Sequence, residues 1–239
     1  MFNTLQAVSD IFFPPSCLSC KIKITQSDIL FCEACLSRVQ LLKEPYCPGC
    51  GKLFDSCSGK NHYCSGCLKN IWHFSKASSF FLYHEPISGL IHSLKYQGNT
   101  GSLSTLNRIA RSHFRLPLVD KAEIIVPVPL HAKRLRQRGF NQSVLIARSL
   151  FSGKKTSINP MVLQKQRWTE PQTFFNGMDR RKNLHNAFAV TSPSLIKGKK
   201  VLLVDDVFTT GTTVNECARV LKKNGAAEVF VFTLARVAG

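Results

Sequence analysis

Apolar residues in this chain follow two rhythms. Short unbroken runs read as strands covered on both faces: Glu-Ile-Ile-Val-Pro-Val over 123–128, Val-Leu-Leu-Val over 201–204 and the run from Val229 to Leu234. Elsewhere the apolar positions recur at helical spacing. Ile87, Leu90, Ile91 and Leu94 share one helical face, and Val214, Cys217, Ala218 and Leu221 share another. Lys222 and Lys223 suit the last turn of that second helix, and Asn224-Gly225 stops it. Helices are also expected from about Ser102 to Phe114 and from about Gln142 to Phe151, with short strands at Ser79–His84 and Met161–Leu163. Strands alternating with helices predict an α/β fold with a mostly parallel sheet. Near the start, Phe2, Leu5, Val8 and Phe12 read as a short amphipathic helix.

The first seventy residues break this pattern with cysteine. Nine of the ten cysteines lie between Cys17 and Cys67, and eight form four Cys-x-x-Cys pairs: Cys17/Cys20, Cys32/Cys35, Cys47/Cys50 and Cys64/Cys67. Each such turn brings two thiolates onto one tetrahedral metal, and two turns close the site. Eleven residues separate the first pair from the second and thirteen separate the third from the fourth, spacings that suit zinc ribbons. Two structural zinc sites follow, paired sequentially because each short loop can close on itself; a first-with-third cross-brace is the alternative. Cys57 and His62 are left over, and His62 is read as a surface histidine rather than a ligand. Closed four-thiolate sites leave no position for catalysis. The metal builds structure in a segment too short to bury much of a core. The expected organisation is a zinc module over 1–73 and an α/β domain over 74–239.

Charge adds a candidate partner. Residues 1–73 carry 7 basic and 5 acidic groups, whereas 74–239 carry 25 and 9, so the excess of +18 falls almost wholly on the second domain. Eight thiolates around two Zn²⁺ lower that total to about +14. Such a surface attracts polyanions, nucleic acid foremost; a merely solvated face is the bland alternative. No run reads as a signal peptide and no apolar run is long enough to span a membrane, so the chain is expected to be cytoplasmic.

The chemistry concentrates in 201–213. Four apolar strand residues are followed by Asp205 and Asp206, then Val207-Phe208, then Thr209-Thr210-Gly211-Thr212-Thr213, then the helix. Backbone N–H groups at a helix N-terminus, with hydroxyls beside them, suit a phosphate. The two carboxylates, expected to be exposed where the strand ends, suit a sugar diol or a magnesium ion. This stretch resembles the phosphoribosyl-pyrophosphate (PRPP) motif of type I phosphoribosyltransferases. The resemblance implies that Asp205 and Asp206 hold the ribose hydroxyls and that Thr209, Thr210, Gly211, Thr212 and Thr213 cradle the 5′-phosphate.

Other segments carry a wider resemblance. Val-Pro-Val-Pro-Leu-His over 126–131, Arg134 with Arg138-Gly139-Phe140-Asn141-Gln142, Arg167-Trp168-Thr169-Glu170-Pro171-Gln172, Arg180-Arg181-Lys182-Asn183 and the cysteine array together resemble the ComF family over nearly the whole chain. The resemblance implies a type I phosphoribosyltransferase-like parallel sheet flanked by helices, plus a small N-terminal zinc-ribbon-like module. It also implies a pyrophosphate loop at Pro129, Leu130 and His131, and a flexible loop at Lys133–Arg138. Lys133, Arg134 and Arg138 would there meet the charge that develops on a leaving pyrophosphate. The implied ligands are PRPP with Mg²⁺ and single-stranded DNA, and the implied setting is natural transformation, alongside proteins of DNA uptake or processing.

Lys95-Tyr96 is a further candidate for the site rim, and Phe140 and Trp168 could stack a base, although half-buried packing is the ordinary role of such aromatics. Cys217 reads as a core residue. Two other functions share the same ligand residues: a metabolic transferase moving phosphoribose from PRPP to a base or amine, and a PRPP sensor without turnover.

Overall fold

The computed structural model describes residues 14–24, 30–54, 59–69, 72–97, 101–111, 117–153, 156–169 and 184–238. The helix expected at 2–12, Cys57 and the Arg180–Asn183 segment lie outside these residues. The chain divides into two compact units, one drawn from 1–40 and 84–114, the other from 41–83 and 115–239.

The first unit joins one cysteine group to two helices. Its elements are α1 (Glu33–Leu36), α3 (Ile87–Gln97) and α4 (Gly101–Arg111). Ile87, Leu90, Ile91 and Leu94 are buried along α3, so the helical spacing read from sequence is the face that packs. Thr105 on α4 accepts a hydrogen bond from the Leu30 backbone N–H at 3.0 Å, tying the cysteine loop to the helices.

The second unit holds the remaining cysteine pairs and the sheet. Its elements are α2 (Ser65–Lys69), β1 (Lys76–Leu82), α5 (Pro117–Lys121), β2 (Ile124–Pro127), α6 (Ala132–Arg138) and α7 (Gln142–Phe151). After these come β3 (Ser157–Ile158), β4 (Leu163–Lys165), β5 (Phe188–Val190), β6 (Lys200–Phe208), α8 (Thr212–Lys223) and β7 (Glu228–Arg236). Among the described residues β1, β7, β6, β2 and β3 form one sheet in that order, every pair parallel. β4 and β5 make a separate antiparallel ribbon.

Burial on both faces explains the unbroken apolar runs. Val201, Leu203, Val229 and Val231 pack with Val214, Cys217, Ala218 and Leu221 of α8. Phe232 of β7 meets Phe151 of α7 at 5.5 Å and Phe80 of β1 at 5.1 Å between ring centroids. The ends of α8 follow its sequence: Gly211 precedes it in a left-handed conformation, and the Asn224 N–H closes on the Val220 and Leu221 carbonyls.

Strand boundaries differ from the sequence reading in places. β6 does not stop at the acid pair but runs to Phe208, because Val207 and Phe208 still pair with Ala235 and Arg236 of β7. The strands expected at 79–84 and 161–163 lie at 76–82 and 163–165. Their partners decide this: β1 registers on β7 from Lys76, and β4 registers on β5 from Leu163.

Phe232 is fully buried where three elements meet. Phe232→Ala is therefore expected to cost about 3–5 kcal/mol, read as a lowered midpoint in urea unfolding. An unchanged midpoint would mean that this aromatic junction does not hold the sheet to α7.

Candidate functional site

The carboxyl ends of neighbouring parallel strands bring the predicted residues together. β2 delivers Pro129, Leu130 and His131, and β6 beside it delivers Asp205, Asp206 and the 209–213 loop. Ligand sites of open α/β sheets form at such ends. Asp205 is half-buried, and its Oδ1 accepts hydrogen bonds from Ser143 Oγ and from the Asp206 N–H, each at 2.9 Å. Asp206 is buried, only 5% exposed, which corrects the expectation of two exposed acids: the strand continues past them.

The loop from Thr209 to Gly211 is three residues long, and α8 starts at once. Thr209 and Thr210 are exposed, and Thr210 Oγ1 lies 2.8 Å from Thr212 Oγ1. Gly211 is required twice over. Its φ is +75°, and a Cβ there would lie 2.5 Å from Cζ of Phe208. Thr212 and Thr213 occupy the first turn of α8, where backbone N–H groups have no helical acceptor.

Lys133–Arg138 forms α6, a capped helix, rather than the flexible loop the resemblance implies. Nδ1 of His131 accepts the Lys133 N–H at 3.2 Å, and Gly139 closes the other end with φ +81°. Between the caps Ala-Lys-Arg-Leu-Arg-Gln-Arg is a run of good helix formers. Arg138 donates to Oε1 of the buried Gln142 at 2.6 Å. Asn141 caps α7 through Ser143 and donates to the Val128 carbonyl at 3.0 Å, fixing α7 to the end of β2.

Trp168 gathers the cations. Lys133 Nζ sits 5.0 Å and the Arg134 guanidinium carbon 5.8 Å from its ring centroid, and the His131 ring meets its edge at 5.4 Å. Lys165, paired with His131 across a backbone bridge, donates to Thr169 Oγ1 at 2.6 Å. Burial pulls the Lys165 ammonium below its ordinary range, the like charge of Arg134 adds to this, and Asp205 opposes it. Phe140 lines a cavity of about 590 Å³ between α6, α7 and β4. Lys95 and Tyr96 belong to the other unit, where the Tyr96 ring lies against His92 at 4.5 Å.

The cysteines group sequentially. Cys17, Cys20, Cys32 and Cys35 have all four sulfurs within 4.8 Å of one another, as do Cys47, Cys50, Cys64 and Cys67. The Cys20–Cys32 and Cys50–Cys64 sulfurs stand 3.6 and 3.7 Å apart. Tetrahedral zinc with bonds of about 2.3 Å needs an edge of about 3.8 Å, so the thiols fit the ion.

The two halves are built alike, thirty residues apart in the chain. Cys17 N–H donates to Ile22 O at 2.8 Å and Lys21 N–H to Cys17 O at 2.9 Å; Cys47 N–H donates to Lys52 O at 2.7 Å and Gly51 N–H to Cys47 O at 2.8 Å. Lys21 and Gly51 both turn at positive φ, 64° and 74°. That internal repeat was available in the sequence as Pro15-x-Cys17 against Pro45-x-Cys47. His62 stacks on Phe54 with centroids 3.9 Å apart and stands outside the group.

Charge explains the need for a cation. Burial raises the Cys17 and Cys47 thiols, but neighbouring N–H donors more than offset it and hold each at about 6. Burial and the adjacent thiols push Cys35 up to about 12 and raise Cys67. In each group one thiol is thus lowered, Cys17 or Cys47, and another raised, Cys35 or Cys67, a mutual repulsion that a divalent ion relieves.

Comparison with known proteins gives this geometry its relatives. The double zinc ribbon domain matches residues 8–68 and the phosphoribosyl transferase domain matches 147–238. The chain is 33% identical to DNA utilization protein YhgH of Escherichia coli K12, over 93% of this chain and 97% of that protein. It is 32% identical to competence protein F of Haemophilus influenzae over 94% and 98%, and 26% identical to competence protein ComFC of Bacillus subtilis over 89% and 87%.

The chain belongs to the ComF family. This ComF-family chain thus joins a phosphoribosyltransferase domain to a double zinc ribbon, and zinc is the metal of its two four-cysteine sites. Among the described residues no helix is long and apolar enough to cross a membrane. Sequence reasoning missed Ser143 and Lys165, whose roles depend on which strand end each reaches. The Asn-Gln-Ser run over 141–143, a cap followed by a buried polar pair, was the available signal for Ser143.

Replacing Cys32 with serine is expected to reduce bound zinc from two equivalents to one, counted by plasma mass spectrometry on the full chain. Retention of both would overturn the sequential grouping.

Proposed function

We propose that this ComF-family protein binds PRPP with Mg²⁺ at the 129–131 and 205–213 loops and binds single-stranded DNA through its basic surface. Its setting is the cytosol, where it handles DNA entering by natural transformation. The observation that carries the PRPP reading is that the acid pair and the glycine-led helix start of β6 converge with the 129–131 loop of the adjacent parallel strand β2. Asp205 and Asp206 accept the ribose hydroxyls, and the hydroxyls and N–H groups of 209–213 take the 5′-phosphate. The backbone of 129–131 faces the pyrophosphate, with Lys133, Arg134 and Arg138 supplying positive charge. Carboxylate and phosphate oxygens are also the hard donors that Mg²⁺ prefers.

The DNA reading rests on the +16 balance of residues 74–239 and on the names of the relatives, competence protein F and DNA utilization protein. Lys133 and Arg134, held over Trp168, are placed to meet phosphates as well as pyrophosphate.

Calorimetric titration of PRPP and Mg²⁺ into the zinc-loaded chain is expected to give saturable heat. Asp205→Asn with Asp206→Asn, which preserves shape at the buried position, should weaken that binding by about a hundredfold or more, the loss of two charged hydrogen-bonding groups. Wild-type affinity in that variant, with zinc and circular dichroism unchanged, would remove the acid pair from the site.

DNA binding is expected to be steeply salt-dependent. The logarithm of affinity for a single-stranded oligonucleotide should fall with the logarithm of salt by about 0.7 per phosphate neutralised. Fluorescence anisotropy from about 50 to 200 mM salt reads this slope. A flat line would sink the electrostatic reading.

A further inference from the structure

We infer that the zinc held by Cys47, Cys50, Cys64 and Cys67 positions the 209–213 loop through Arg236 and Phe208, so that metal at the one and ligand at the other bind cooperatively.

The path is short and buried. Arg236, 6% exposed at the end of β7, donates from Nη1 to the Cys50 carbonyl. Among the described residues no carboxylate pairs with it, and its Nε has no hydrogen-bond partner. A buried guanidinium needs a counter-charge. Four thiolates around one Zn²⁺ make a doubly negative centre next to it, which supplies that charge.

Arg236 in turn fixes an aromatic wedge. Its guanidinium carbon lies 4.8 Å from the Phe208 ring centroid. Phe208 is 3% exposed and has Phe74 at its edge, centroids 6.2 Å apart at 86°, with Trp72 at 6.4 Å. Trp72 reaches back to the metal site, Nε1 donating to Cys67 Sγ at 3.3 Å. The tip of the Phe208 ring, Cζ with the two Cε atoms, occupies the place a Gly211 side chain would need. Beside it, the His73 N–H donates to Asn215 Oδ1 in the first turns of α8 at 2.7 Å. Both metal-side groups, Arg236 and Trp72, therefore press on one ring, and the ring sets the turn.

Outer partners of a metal site usually change its affinity about tenfold to hundredfold when removed. Coupling between two sites is reciprocal. The description of 209–213 as a phosphate loop rests on the function proposed above; the coupling of metal to loop stands on the packing alone.

The test uses the full wild-type chain with both zincs bound. A zinc-selective chelator removes metal in steps, and hydrogen exchange of the 205–215 region is read by mass spectrometry after each. Loss of one particular equivalent should raise exchange there while the 124–127 strand stays protected. Exchange that rises at both regions together, or at neither, overturns the inference. Arg236→Gln and Phe208→Leu supply a second measurement. Each should release one of the two zinc equivalents about tenfold faster than wild type and leave the other unchanged. Wild-type release of both equivalents overturns the coupling. PRPP with Mg²⁺ should slow release of that same equivalent. If PRPP binds by calorimetry yet slows neither, the coupling fails. If it does not bind at all, the ligand assignment fails and the exchange result decides the coupling.

Discussion

The parallel pairing of β6 with its two neighbours is the constraint on which the rest of the second unit depends. On one side β2 brings in the Pro129–His131 loop, and on the other β7 holds β6 extended as far as Phe208. Were that ladder to end at the acids, Asp205 would lose its fixed relation to Ser143 and Phe208 would not reach under Gly211. Backbone hydrogen bonds thus set positions that the polar side chains then use. The ladder is insulated on both faces by α7 and α8, whose apolar stripes keep water from competing for those bonds.

Around the strand ends, polar side chains do the fixing that packing cannot. Asn141 joins the start of α7 to the end of β2, Ser143 joins it to Asp205, and Gln142 receives Arg138. Three consecutive residues therefore hold a strand end, an acid and a cation. Lys133 and Arg134 of α6 are organised differently, by the ring of Trp168. Cations held by a ring keep their full charge for an incoming anion, whereas an ion pair would spend it internally.

Much of this was legible in sequence, for reasons that differ by element. α3 was readable because its apolar face repeats at helical spacing, and α7 also because Asn141 caps its start. The strands around the site were readable because double burial forces unbroken apolar runs. The cysteine grouping followed from the short loops inside each half. What escaped was set by partners distant in the chain. The extension of β6 to Phe208 depends on Arg236, and the burial of Asp206 follows from that extension. α6 escaped because the resemblance implied a loop over Lys133–Arg138, the residues between its caps His131 and Gly139.

The two cysteine turns share their metal geometry and differ in what they rest on. At position 21 the turn carries an exposed lysine in the left-handed conformation, with Nζ bonded to the Leu18 carbonyl. At position 51 an added Cβ would stand 3.3 Å from the Ala77 carbonyl oxygen of β1. The halves of this duplication are thus under unequal constraint. One has a tip whose side chain is free to carry surface chemistry, while the other has no room for a side chain because a strand is founded on it.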